Sequence, residues 1–350
     1  MSQWIRSLCF LVLAMNLASC SSKFLKAPSA EALKPNDEFE KSVTIVVPGT
    51  EGSTVATAPK PPQPAPPIVP AEKGKKKKHR KKGKATVSEA APIVLPPDDS
   101  DIENREGFQG RRPIVDPFRV GESVVLNVHY FKFSAGTLTL KVDPFAEVNG
   151  HKAYNFVTQV QTSPTFSSLI HAVDDSAVTL LDYDLMVPRV FTLHVKETQQ
   201  LREARSIFDF DSLKARYWEK KVTEKSGVEE KRQEWTILPW SQNVFSAVFY
   251  MRTFKWDIGK EYAFRVADDE QNIVFKAKAL RREVLETDLG PKNAIVIKPE
   301  IMVQGIFKPV GDLYFWLSDD DRKLVLRIES KIKIGTLVAE IRSLTPGQEP

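Results

Sequence analysis

From Pro113 onward, apolar and polar residues alternate with a period of two. Val124, Leu126, Val128 and Tyr130 fall on one face of a candidate strand. Comparable runs occupy residues 135–142, 153–161, 189–196, 206–210 and 215–222. Others follow at 262–266, 273–279, 294–297, 313–317, 324–328 and 336–341. Turn-forming clusters separate them: Val148-Asn149-Gly150, Asp268-Asp269-Glu270-Gln271-Asn272, Leu289-Gly290-Pro291 and Ser318-Asp319-Asp320-Asp321. Many short strands joined by local turns predict an antiparallel arrangement.

One stretch departs from the alternation. Ser241-Gln242-Asn243 offers helix-capping side chains, and Val244, Phe245, Val248, Phe249 and Arg252 then recur at helical spacing. A second helical turn is expected over 165–171. The predicted fold is therefore dominated by β structure: an antiparallel curved sheet, barrel or sandwich with one apolar helix against or inside it.

The first 112 residues follow another pattern. Arg6 precedes an apolar run, 8–14, and Leu17-Ala18-Ser19-Cys20 follows. This resembles a bacterial lipoprotein signal, in which the lipobox cysteine receives acyl chains of the palmitate class and becomes the first mature residue. The apolar run is too short for a bilayer core of about 30 Å, which needs about 20 residues. Lipidation at Cys20, after removal of 1–19, would tie the chain to a membrane. An ordinary secretory signal cleaved nearby is the alternative. Ser21 and Ser22 follow the cysteine, and the enterobacterial sorting rule then implies the outer membrane. The expected address is the bacterial cell envelope.

Residues 20–112 read as a long disordered tether. Seven prolines between positions 59 and 70 favour extended polyproline II. The block from Lys73 to Lys84 is almost wholly basic. It reads either as a solvated spacer or as a contact with an anionic envelope polymer. Residues 1–112 hold 18 Lys and Arg against 12 Asp and Glu, whereas 113–350 hold 32 against 33. The basic excess lies outside the β-rich region, which offers no electrostatic footprint for nucleic acid. The β-rich domain is expected over 113–345, with 346–350 as a tail. Both cysteines, Cys9 and Cys20, fall in the signal or at the anchor, so no thiol remains for a disulfide or a thiolate site.

Several motifs, in order, resemble the bacterial envelope family known as domain of unknown function 3108. They are Val120-Gly121-Glu122, Ser134-Ala135-Gly136-Thr137-Leu138, and the run from Thr162 through Ile170 with Val173-Asp174-Asp175. The helix pattern from Phe245 to Arg252 and Trp316-Leu317-Ser318-Asp319-Asp320-Asp321-Arg322 complete the set. The resemblance covers about residues 115–342 and implies an exported, β-rich domain. The family brings no established catalytic residues.

Ser167, Ser168, His171, Asp174 and Asp175 place a nucleophile, a base and acids within nine residues. They are the candidate contacts for a ligand or partner, and an envelope hydrolase is the alternative function. No G-x-S-x-G elbow accompanies them. Asp319-Asp320-Asp321 lacks Ca²⁺-loop spacing and reads as a hairpin turn. His129, His151, His171 and His194 are scattered without zinc-binding spacing, and no phosphate-binding glycine loop occurs, so no metal or cofactor is expected. Aromatic residues suit either a packed core or an apolar ligand site. The sequence thus predicts a non-catalytic envelope lipoprotein that binds an envelope protein or an apolar ligand.

Overall fold

A computed structural model describes residues 24–26, 33, 37–48, 107–130, 133–303, 306–309, 312–332 and 335–348. Cys20 and the block 73–84 lie outside the described residues.

The short elements come first: α1 (Asp37–Ser42), β1 (Ile45–Val46), β2 (Phe108–Gln109) and β3 (Arg112–Pro113). The first half of the main sheet follows, with β4 (Glu122–Tyr130), β5 (Phe133–Val148), β6 (His151–Thr162), α2 (Pro164–Leu169), β7 (Asp174–Asp182) and β8 (Pro188–Lys196). Then come β9 (Gln200–Asp209), β10 (Lys214–Thr223), β11 (Gly227–Thr236) and α3 (Val244–Tyr250). The chain ends with β12 (Glu261–Asp268), β13 (Gln271–Leu285), β14 (Lys292–Val303), β15 (Ile306–Pro309), β16 (Asp312–Ser318), β17 (Val325–Ile332) and β18 (Gly335–Pro346).

Sixteen strands form one antiparallel sheet ordered β11-β10-β9-β8-β7-β6-β5-β4-β18-β17-β16-β14-β13-β12, with β1 and β15 attached beside β5 and β14. Most strands pair with their neighbours in sequence; the exceptions are β18 closing on β4, β16 pairing with β14 past β15, and β1 joining β5. The sheet stays open between β11 and β12. Residues 236–243 line that opening. Gln242 N–H donates to Arg265 O and its carbonyl accepts from Ala267 N, both at 2.8 Å. Asn272 ties the same strip through Thr236 O at 3.0 Å and Leu238 N at 3.1 Å.

The alternation read from sequence is the alternation of burial. In β4, Val124, Leu126 and Val128 are buried and the residues between them are half-exposed. The turns also follow their residue types: Asn149 and Gly150 both have positive φ, as a two-residue hairpin turn requires. Asp269 and Glu270 form the same kind of turn between β12 and β13. Asp320 closes the β16–β17 loop by accepting from Ser318 Oγ at 2.7 Å and from the amides of Arg322 and Lys323 at 3.0 Å.

Helix α3 fills the concave side. Asn243 caps it reciprocally with Ser246: Ser246 N donates to Asn243 Oδ1 at 2.7 Å and Asn243 N to Ser246 Oγ at 2.9 Å. Phe249 stacks on Phe156 at 4.2 Å between centroids, and Phe245 on Phe191 at 5.3 Å. The face expected from spacing, Val244 to Arg252, is only part of the buried surface. Ser246, Ala247 and Tyr250 are buried too, because the curved sheet approaches the helix from several sides.

Two elements depart from the sequence reading. Residues 37–48, expected to be tether, form α1 and β1 on the convex face. Phe39 and Val43, one helical turn apart, are buried, and Phe39 meets Trp218 edge to face at 5.7 Å. Glu38 accepts from Arg232 Nη1 at 2.8 Å, and β1 pairs with the end of β5. Helix α1 itself has one apolar residue, Phe39, and the sheet supplies the other half of the contact. The β-rich unit also begins earlier than 113: the β2–β3 hairpin packs Phe108 on Phe254 at 5.7 Å.

The β7 strand was hidden because both its faces are covered. Its Ala177 joins the concave core and its Leu180 the convex core beneath α1. The other long strand missed, β11, has no buried residue and forms one edge of the sheet.

Candidate functional site

The residues singled out by the sequence gather at one rim of the curved sheet, where β6 ends and β7 begins. Thr162 leaves β6, Ser163 caps α2, and Pro164 occupies the first helical turn, where its missing N–H is not needed. Ser163 N donates to Ala135 O at 2.8 Å and Ser163 Oγ to Ser134 O at 3.1 Å, fixing α2 against β5. The helix ends within six residues, with Ile170 N bonded to Phe166 O at 2.9 Å.

The polar side chains here turn to separate partners. Ser167 Oγ lies 2.7 Å from Thr162 Oγ1, and Ser168 Oγ donates to Thr165 O at 2.9 Å. His171 Nε2 faces Glu197 Oε2 at 3.4 Å. Asp174 accepts from Gln161 Nε2 at 2.9 Å and lies 3.5 Å from Lys196 Nζ. Asp175 accepts from Lys196 N at 2.9 Å. Among these hydrogen bonds none joins a serine to His171, so the nucleophile–base pair of acyl transfer is not assembled here.

What is assembled is a carboxyl pair beside a histidine. Burial pushes the Asp175 carboxyl up to about 7, and the nearby Glu197 carboxylate pushes it the same way. Glu197 also accepts from Gln200 Nε2 at 2.8 Å. This residue sits in the β8–β9 turn, and its part in the cluster was not visible in sequence. No three His, Cys, Asp or Glu side chains converge for a metal ion among the described residues.

The Glu197 backbone has a further partner. Its carbonyl accepts from Leu25 N at 3.1 Å, and Lys196 Nζ stands 4.5 Å from the ring centre of Phe24. Residues just beyond the expected anchor therefore touch the same rim. Phe133, at the start of β5, and Ile170, at the end of α2, are exposed on this rim, at 71% and 52%.

The described residues form a packed core of buried apolar side chains. In the β8–β11 half, Phe191, Phe208, Tyr217, Trp235 and Phe245 surround a cavity of about 20 Å³. That is room for about one water. Arg202 and Glu219 form an ion pair nearby, with Arg202 Nη2 donating to Tyr217 OH at 2.8 Å. Burial pushes the Tyr217 phenol up.

Residues 125–342 match the profile of the family described as "Protein of unknown function (DUF3108)". The chain belongs to this family. Three of the DUF3108 motifs quoted from the sequence converge in space, on a charged cluster. Glu122 receives both Arg252 and Arg322. Those arginines also hold Pro117 O, at 3.0 and 3.1 Å, and Arg322 reaches Pro346 O at 2.9 Å. The cluster thereby joins both ends of the sheet's chain to α3. Gly136 passes so close to β6 that a Cβ would stand 2.0 Å from Gln161 O.

Three solved structures are similar to this DUF3108 chain. A β-barrel-like protein of domain of unknown function DUF1849 from Brucella abortus shares 10% identity at a TM-score of 0.38, covering 64% of this chain and 96% of its own. A candidate exported protein with a YmcC-like fold from Bacteroides fragilis shares 9% at 0.30, covering 65% and 97%. A candidate lipoprotein from Parabacteroides distasonis shares 12% at 0.28, covering 65% and 95%. No curated protein matches the chain in sequence.

Proposed function

We propose that this protein is a non-catalytic lipoprotein of the bacterial cell envelope, anchored through Cys20 in the outer membrane, whose β-rich domain recognises another envelope component at its surface. The packed core carries this reading. A cavity of about 20 Å³ is far below the roughly 300–1,000 Å³ of a typical small-molecule pocket. This favours a surface partner over an enclosed apolar ligand. The separate hydrogen-bond partners of Ser167, Ser168 and His171 weigh against the hydrolase alternative.

The partner surface is then sought among exposed apolar residues. Ile114, Val115 and Val284 are the most exposed of these on the rim away from α2. The basic block at 73–84 would add an electrostatic contact with an anionic envelope polymer.

Native mass spectrometry of residues 24–350, purified without added lipid, tests the reading. The expected result is the bare polypeptide mass. A stoichiometric lipid carried through purification would replace the surface-binding reading with that of a lipid carrier.

A further inference from the structure

The strands run between two rims, and the chain touches both before entering β4. Leu25 is bonded at the rim with α2, through Glu197 O. Ile45 pairs with Val148 at the opposite rim, beside the Asn149–Gly150 turn. The chain therefore climbs the convex face between these points, with Phe39 and Val43 buried on the way. Gly107 re-enters at that far rim, against Lys255 Cβ. The described chain thus stops at Pro48 and resumes at Gly107, both at the far rim.

This path changes what the tether does. If the whole stretch 20–112 were a free leash, the domain would hang well clear of its anchor. With Leu25 bonded to Glu197, five residue steps separate Cys20 from the α2 rim, a maximum of roughly 17–18 Å. The far rim is a strand length away: the twelve residues of β6 extend about 40 Å. An anchor at Cys20 reaches the α2 rim and falls short of the other.

We propose that the α2 rim is apposed to the bilayer that holds the lipid anchor, with Phe133 and Ile170 entering its interfacial layer. This rests on the lipoprotein reading above. The occupant follows from the chain path: the acyl chains, Phe24 and the two exposed apolar side chains all lie at one end of the sheet. The far rim has more exposed apolar residues, but the covalent reach from Cys20 directs it outward, toward other envelope components.

The lipidated full chain tests this directly. Once the signal is removed and Cys20 acylated, no native thiol remains, so one introduced cysteine carries one fluorophore. Ile170→Cys and Asp288→Cys, on exposed positions of the two rims, are each labelled and reconstituted into phosphatidylglycerol–phosphatidylethanolamine vesicles containing a headgroup-quencher lipid. The Ile170 probe should lose most of its emission and the Asp288 probe almost none. Adding Leu25→Pro removes the amide that bonds Glu197 and should restore emission at the Ile170 probe. Equal quenching at both rims, or stronger quenching at Asp288, overturns the proposed orientation while leaving the anchor intact. Intact-mass analysis of the same samples separates the two failures: protein lacking acyl chains would remove the lipoprotein reading, and this inference with it.

Discussion

The Glu122 carboxylate receives the Arg252 guanidinium as a two-pronged pair, Nη1 at 2.6 Å to one oxygen and Nη2 at 3.0 Å to the other. Both side chains are almost wholly removed from solvent. Removing Glu122 strands the buried Arg252 charge, which typically costs about 3–5 kcal/mol. Glu122→Ala should therefore lower the urea unfolding midpoint strongly, and Arg252→Ala, which leaves Glu122 paired with Arg322, should lower it less. In the double variant the buried Arg252 charge is gone and only the partly exposed Arg322 loses its carboxylate, so the loss should fall below the sum of the two. Strict additivity would show that the two residues do not act as a pair.

The close passage of Gly136 over β6 predicts a second effect. A methyl group there meets backbone, which cannot rotate away. Gly136→Ala should cost about 1–3 kcal/mol as strands β5 and β6 separate. Thermal unfolding of the purified domain checks this, and a melting temperature equal to wild type would refute it.

Phe39 holds α1 to the convex face through Trp218. Phe39→Ala should weaken that docking by about 3–5 kcal/mol and leave the sheet intact. Limited proteolysis should then cut within 37–48 while the main thermal transition stays in place. Unchanged protection would show that β1 pairing alone holds the segment.

The Asp175 carboxyl sits among Glu197, Asp174, Lys196 and His171, and burial together with Glu197 raises it to about 7. The folded form then keeps a proton that the unfolded chain releases near pH 4. Stability should fall as pH rises between about 4 and about 7, then level off. Asp175→Asn keeps the shape without the charge, so its stability should fall less across that window. Urea midpoints at pH 5 and pH 8 provide the comparison. An identical decline in the variant would assign the pH dependence to other groups.

At the amino-terminal end, Cys20→Ala should abolish incorporation of a fatty-acid analogue during growth, whereas wild type is labelled. Label on the variant would remove the anchor from the account.

The contrast between α3 and α1 shows how far sequence reading extended into this fold. The α3 cap and its apolar spacing are local, so Asn243 and Phe249 announced the helix unaided. The role of α1 depends on Trp218, about 180 residues away, and a six-residue helix with Phe39 as its one apolar residue shows no apolar face until that surface exists. Strand β4 was plain because one of its faces is wet. Strand β7 was not, because α1 buries the face that should have been polar. The candidate site was legible as a neighbourhood and no further. Ser167 to Asp175 do share a rim, but Glu197 and Leu25 join them through long-range contacts, and these turn the reading from ligand or partner contact to the proposed orientation. The Glu122–Arg252 pair spans 130 positions, a distance at which spacing carries no signal.

Strand β11, the least strand-like of the long strands, closes one side of the sheet with its outer backbone groups facing no other strand. Glu229, Glu230, Lys231, Arg232 and Glu234 crowd it with charge of both signs. An edge of this length made of valine and isoleucine would invite a second copy to add its own strand. If the chain is anchored as proposed, copies concentrated in two dimensions on a membrane would make such growth especially easy. The charges that conceal β11 from the alternation pattern are the ones that would oppose it.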